Sequence, residues 1–258
     1  MLSNYGLTFP VQASSFAAQI DRGIGILHVA MVLIFVAWGI FFTYLLIKYR
    51  AREGGKADRS HVSLQVSIAP DIAVLSFEIL LVVFYAVPTW SKIKMNFPDK
   101  ADALNIEVVA EQFNWNVRYP GPDGTFGKVD AKLIDFANPL GIDPTDPAGL
   151  DDVVTVNEMR LPVDKTVLVA LSSKDVIHNF FIPAFRIKQD ATPGLKIPVW
   201  FKPTREGHYE ITCAQLCGVG HAIMRADVHV ESTEAFSQWL AAQKPRVVAK
   251  AGDSSEEW

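Results

Sequence analysis

Cys213-Ala-Gln-Leu-Cys217-Gly-Val-Gly-His221-Ala-Ile-Met224 follows one run of strand character, His208 to Cys213, and precedes another, Arg225 to Glu231. Gly218 and Gly220 let a backbone fold tightly, so the side chains of Cys213, Cys217, His221 and Met224 can converge on one point. Thiolate, imidazole and thioether together are the soft and borderline donors that favour copper, whereas a structural zinc site usually takes four Cys or His ligands and no Met. A further donor is sought upstream. His178, in Lys174-Asp-Val-Ile-His178-Asn-Phe-Phe-Ile-Pro183, is the best candidate, because its apolar setting would exclude water.

Each of these residues also has an ordinary reading. The two cysteines of the chain could form one disulfide, a redox pair or a metal site. A single strand histidine more often packs or faces water than binds a metal, a single methionine usually packs, and exported cysteines commonly pair. The conjunction favours a metal, because a disulfide needs neither His221 and Met224 at regular spacing nor a glycine-rich loop between them.

Working outward from the motif, Leu104 to Glu111, Asn114 to Tyr119, Val153 to Val156, Thr166 to Ser172, Val176 to Ile182 and Ile197 to Phe201 read as further short strands. Their Pro and Gly punctuation suggests an antiparallel sandwich or barrel over residues 96–232. Between Tyr119 and Val153 a Gly/Pro/Asp-rich stretch with seven aspartates reads as a long acidic surface loop. Residues 233–258 read as an amphipathic helix, Thr233 to Lys244, with Phe236, Trp239 and Leu240 on one face, then a charged tail.

Upstream, residues 1–95 are dominated by two apolar runs, Gly23 to Ile47 and Ile68 to about Trp90. Each reaches the roughly 20 residues a helix needs to cross a bilayer. Lys48, Arg50, Arg52, Lys56 and Arg59 lie between them, and basic residues beside membrane helices mark the cytoplasmic side, so both ends of the hairpin face outward. No cleavable signal pattern precedes the first run, which therefore doubles as the export signal. A net charge of -4 without a recurring basic patch gives no sign of nucleic-acid binding.

On these residues the chain resembles subunit II of the haem-copper cytochrome oxidases, from the first span to Trp239. Ser173-Lys-Asp175-Val-Ile-His178, Lys188-Gln-Asp190-Ala-Thr-Pro193-Gly194 and Gln112-Phe-Asn-Trp115 carry the likeness alongside the cysteine motif. The resemblance implies a two-helix transmembrane hairpin followed by an all-β cupredoxin-like domain in the bacterial inner membrane, the copper domain on the periplasmic side. It implies a binuclear copper centre bridged by Cys213 and Cys217, with His178 and His221 on the two ions, Met224 as a weak thioether ligand and the Gln215 carbonyl as another. Electrons would come from a c-type cytochrome, by way of Phe113 or Trp115, and pass to haem in the catalytic subunit I, which holds haem and another copper and works with other oxidase subunits. Asp175 and Asp190 are expected to orient ligands or aid docking.

Three positions depart from the family pattern. Gln215 stands where a glutamate often serves a magnesium or manganese site, and an amide is the poorer ligand for a hard cation, which weakens the expectation of magnesium. Phe113 replaces the tryptophan that commonly receives the electron, which leaves room for a donor held within a larger assembly. Glu78, near the middle of the second span, sits deeper than the glutamate of the family's proton path; an ionisable group there is costly and suggests function. Two further classes stay open: a membrane-anchored copper chaperone or thiol-disulfide protein using Cys213 and Cys217, and an anchoring subunit with a structural zinc.

Overall fold

The computed structural model describes residues 9–51, 53–55 and 63–245. Arg52, Lys56 and Arg59 of the basic loop and the charged tail beyond residue 245 lie outside the described residues. The chain divides into two units, Gln19–Asn96 and Met1–Ala18 with Phe97–Trp258.

The first unit is a pair of helices. Helix α1 runs over Ala17–Lys48. Helices α2, Leu64–Leu81, and α3, Val87–Lys94, are joined by a π turn at Val82–Ala86. Pro88 explains the turn, because its missing N–H and its ring disturb the i→i−4 ladder there. Both stretches extend beyond the predicted spans, to 32 and 31 residues. Their apolar side chains point outward, with Phe35 78% and Phe84 73% exposed, so they are not the core of a water-soluble bundle. Gln19 ties the helices together, its carbonyl accepting from the Tyr85 hydroxyl at 2.5 Å and its amide donating to Thr89 Oγ1 at 2.8 Å.

Among the described residues the second unit holds ten strands: β1 Leu104–Glu111, β2 Asn114–Tyr119, β3 Val153–Val156, β4 Glu158–Pro162, β5 Val167–Ser173, β6 His178–Ile182, β7 Ile187–Ala191, β8 Ile197–Phe201, β9 Gly207–Cys213 and β10 Arg225–Glu231. They form two five-stranded sheets, ordered β3-β2-β1-β5-β8 and β4-β10-β9-β6-β7. Alternation builds the layers: in β1, Ile106, Val108 and Ala110 turn inward while their neighbours stay half-exposed. Trp115 of β2 packs edge-on against Phe180 of β6, with ring centroids 5.8 Å apart, joining one sheet to the other. Each such fully buried large apolar side chain contributes about 1.5–3 kcal/mol. Helix α4, Thr233–Ala242, is capped by Ser232 and covers Tyr119 with Phe236 and Trp239.

Several details differ from the sequence reading. The sheets are mixed, since β1 pairs with β5 and β10 with β4 in parallel. Strands β4 and β7 are additional, and the strand expected from Val176 starts only at His178, with Val176 and Ile177 37% and 45% exposed. Helix α4 stops at Ala242, short of Lys244. Residues 9–18, grouped by sequence with the helices, strap the β unit: Ala13 N–H donates to Ala184 O at 3.0 Å, Ala13 O accepts from Thr204 N–H at 2.9 Å, and Phe16 packs edge-on against Trp200. The acidic loop is also partly internal, because Leu140, Ile142 and Asp152 are buried.

Candidate metal centre

The loop from Cys213 to Met224 is closed by backbone. Cys213 N–H donates to Met224 O and Ala214 N–H to Asn179 O, each at 3.1 Å, so β9, β10 and β6 fix both ends. Gln112 lies over the middle and donates from Nε2 to Cys217 O at 2.6 Å. The Phe113 ring rests on the loop so closely that a Cβ at position 220 would come within 2.4 Å of it, which explains Gly220. Gly218 adopts φ +136, a conformation that side chains disfavour.

Within this frame the sequence-predicted donors meet. His178, Cys213 and Cys217 are buried, with ligand atoms within 4.8 Å of one another. The two free thiols stand 3.8 Å apart. On one side Met224 Sδ lies 3.1 Å from His178 Nδ1 and 3.8 Å from Cys217 Sγ. On the other, His221 Nδ1 is 3.7 Å from Cys217 Sγ, and the Gln215 carbonyl is 3.1 Å from Cys213 Sγ. Two sulfurs thus lie between two imidazoles, each flanked by one weaker donor.

His178 is oriented by Asp175. Its Nε2 lies 2.9 Å from Asp175 Oδ1; an ionised carboxylate only accepts, so Nε2 carries the proton and Nδ1 turns its lone pair toward the sulfurs. Burial alone would raise the Asp175 pKa, but hydrogen bonds from His178 and from the backbone N–H groups of Gln112 and Val176 outweigh it and hold the carboxyl below its ordinary value. Asp190 acts one step further out: it accepts from Asn179 Nδ2 at 2.6 Å, and Asn179 O holds Ala214. Burial, reinforced by Cys213, pushes the metal-free Cys217 thiol up to about 11. Replacing Asp175 with alanine is expected to weaken thiophilic metal binding by about 10–100-fold, measured by competition with a chelator.

Other predicted residues are placed differently. Trp115, read as electron-receiving, is wholly buried with its ring 6.2 Å from that of His178, so a docked protein cannot touch it; the half-buried Phe113 is the aromatic that reaches the outer side of the loop. Sequence reasoning missed the apolar crown around the centre, where Leu216, Val219 and Ile223 are 78%, 103% and 77% exposed. Their signal was present as three apolar residues between the ligands. Glu78 lies on the exposed surface of α2, in the other unit.

The chain is similar to known proteins. The family model described as "Cytochrome C oxidase subunit II, periplasmic domain" matches residues 104–232. The chain is 34% identical over 230 residues to the alternative cytochrome c oxidase subunit 2 of Bradyrhizobium diazoefficiens, covering 87% of this chain and 80% of that protein. With cytochrome c oxidase subunit 2 of Cereibacter sphaeroides the identity is 28% over 251 residues, covering 91% and 79%. The crystal structure of the periplasmic domain of subunit II of cytochrome oxidase from Bradyrhizobium japonicum is 31% identical, covers 57% of this chain and 95% of that one, and superposes with a TM-score of 0.42.

Proposed function

The chain belongs to the cytochrome c oxidase subunit II family, and from that premise we propose that it is the electron-accepting subunit of its oxidase complex, receiving electrons from a c-type cytochrome and delivering them to haem in the catalytic subunit. That subunit reduces oxygen to water and pumps protons; this chain supplies the route in. The observation that carries the reading is the pair of buried thiols between His178 and His221.

Those residues fit a copper pair by donor chemistry: thiolate, imidazole and thioether suit copper, and no donor in the set is a hard carboxylate. Cys213 and Cys217 would bridge, His178 and His221 would each bind one ion, and Met224 and the Gln215 carbonyl would be the weak outer ligands. When bound, a thiolate-bridged copper pair supplies a one-electron acceptor whose charge is shared over two metals. The protein contributes rigidity and dryness. Strand-end hydrogen bonds keep the loop from rearranging, Asp175 fixes the His178 tautomer, and Trp115, edge-on to the imidazole and backed by Phe180, helps exclude water around the ring.

The apolar crown of Leu216, Val219 and Ile223 suits the face of a donor around its haem edge, with Phe113 beside it. A contact of this kind excludes water but contributes little long-range attraction, while the acidic loop supplies the salt-dependent steering. Lys48 and Arg50 support a connecting loop on the cytoplasmic side of a bacterial inner membrane, with the β unit in the periplasm. Glu78 belongs against the catalytic subunit, where a proton path would tolerate an ionisable group that lipid would not.

Val219→Asp tests the donor contact. The variant is expected to keep its metal and its visible spectrum, and to slow bimolecular reduction by a reduced c-type cytochrome by about tenfold, equivalent to about 1.4 kcal/mol, in stopped-flow mixing. Unchanged kinetics would remove the crown from the docking face. A chain that exchanges disulfides and never takes up copper would replace the whole reading with that of a thiol protein.

A further inference from the structure

The outward face of β4, β10 and β9 carries a second cluster of imidazole and carboxylate side chains. His208 and His229 stand directly opposite each other in the antiparallel β9–β10 register. Nδ1 of His229 lies 3.1 Å from Nε2 of His208, and the ring centroids are 4.0 Å apart. Two residues further along each strand, on the same face, Glu210 and Asp227 are again direct partners. The alternate residues Ile211, Val228 and Val230 are buried, so all four polar side chains project away from the core.

We propose that His208 and His229 chelate a divalent transition-metal ion of the zinc class, with Asp227 and Glu210, the next pair along the same face, supplying negative charge beside it. Zinc–imidazole bonds of about 2.0–2.1 Å place two nitrogens on one ion roughly 3 Å apart, the spacing already present between these rings. Without a metal, one ring donates an N–H to the other. Burial, then the neighbouring His208 and Arg160, lower the His229 pKa, which keeps its lone pair available at neutral pH.

The surrounding charges distinguish the four residues from a solvated polar face. Arg160, opposite His229 in the β10–β4 register, is engaged by Glu158 at 2.7 Å and Glu231 at 3.6 Å. Asp227 and Glu210 make no ion pair among the described residues, so their charge is free for a cation. Imidazole with carboxylate suits zinc or nickel better than the soft copper(I) that thiolate and thioether select. Because β9 ends at Cys213 and β10 begins after Met224, an ion held here would clamp the two strands from which the ligand loop springs.

The test uses the full-length, tag-free chain in detergent, titrated with zinc chloride in a calorimeter beside His208→Ala and His229→Ala. Zinc taken up by the cysteine centre is common to all three proteins and drops out of the difference. The wild type is expected to bind one more zinc per chain than either variant, and zinc is expected to raise its unfolding temperature and not theirs. Native circular dichroism checks the fold, and His229→Asn replaces His229→Ala if the alanine chain does not fold. Asp227→Asn combined with Glu210→Gln keeps both rings and is expected to weaken the extra zinc about tenfold. Identical zinc stoichiometry and affinity in the wild type and the folded histidine variants would overturn the proposal; an unaltered affinity in the double amide variant would remove the carboxylates from it.

Discussion

Replacing Cys217 with serine is expected to abolish the electron-accepting centre while leaving the β unit folded. Serine keeps the size of cysteine but offers a hydroxyl, a hard and weakly acidic group, where a soft thiolate must bridge. Cys217 Sγ also lies within 3.7 Å of His221 Nδ1 and 3.8 Å of Met224 Sδ, so its loss disconnects the two halves of the ligand set. Copper should fall from two per chain to at most one. Electron uptake should drop by more than the about 10–100-fold that removal of an outer-shell partner costs. The metal-free chain adds a pH signature. With the Cys217 thiol pushed up to about 11 by burial, copper must displace protons, so its apparent affinity falls as pH falls. Metal analysis and stopped-flow reduction at two pH values read both effects.

The second large effect concerns stability. Arg118 is 1% exposed, and its guanidinium donates to Glu107 at 2.9 Å, to Asp152 and to the Gly127 carbonyl at 2.7 Å, with the Phe126 ring 5.0 Å away. It fastens the long loop after β2 to the sheet. Arg118→Met leaves Asp152, itself buried, without its cation, and breaking a buried pair from one side costs about 3–5 kcal/mol. Burial already raises the Asp152 pKa, against the hydrogen bonds from Arg118 and Gly127. A carboxyl whose folded-state pKa is raised binds protons more readily when folded, so folding gains stability as pH falls through that value. Urea unfolding of the detergent-solubilised chain should therefore show a deficit at neutral pH that narrows under acid conditions. An equal deficit at both pH values would place the cost in lost packing instead.

The ligand set was legible because its chemistry is local: four donors within twelve residues and two glycines between them. His178 was found by its apolar flanks. The helix pair was legible from length alone. What escaped depends on non-local pairing. Asn157 carries φ 57 and is the single residue between β3 and β4, turning the chain from one sheet into the other; an asparagine in that conformation is a corner that residue type hints at and position does not. Strand β7, Ile187–Ala191, alternates inward apolar with outward Lys188 and Asp190 and reads as a polar loop without its partner β6. The parallel pairings β1–β5 and β10–β4 leave no mark in sequence, since strand direction is set by connections far along the chain.

Trp115 shows the converse. With Phe113 it reads as a candidate for electron entry, yet its position in β2 is wholly buried, with its ring 6.2 Å from that of His178. The aspartates of the 120–152 loop read as surface charge, and Asp123, Asp130 and Asp135 are exposed, but the turn-forming role they also carry was not legible. Asp123, Asp130, Asp135, Asp143 and Asp146 accept from backbone N–H groups two or three residues ahead or across the loop, which shapes the turns that carry them.

A copper pair shared between Cys213 and Cys217 is tested most directly by copper content with an electron-paramagnetic spectrum of the full-length chain purified from copper-supplemented cells. Two coppers per chain, intense visible thiolate absorption and a hyperfine pattern with the multiplicity of two equivalent nuclei are the predicted result. A colourless, folded chain holding zinc or a Cys213–Cys217 disulfide, or a spectrum from one isolated copper, would contradict it.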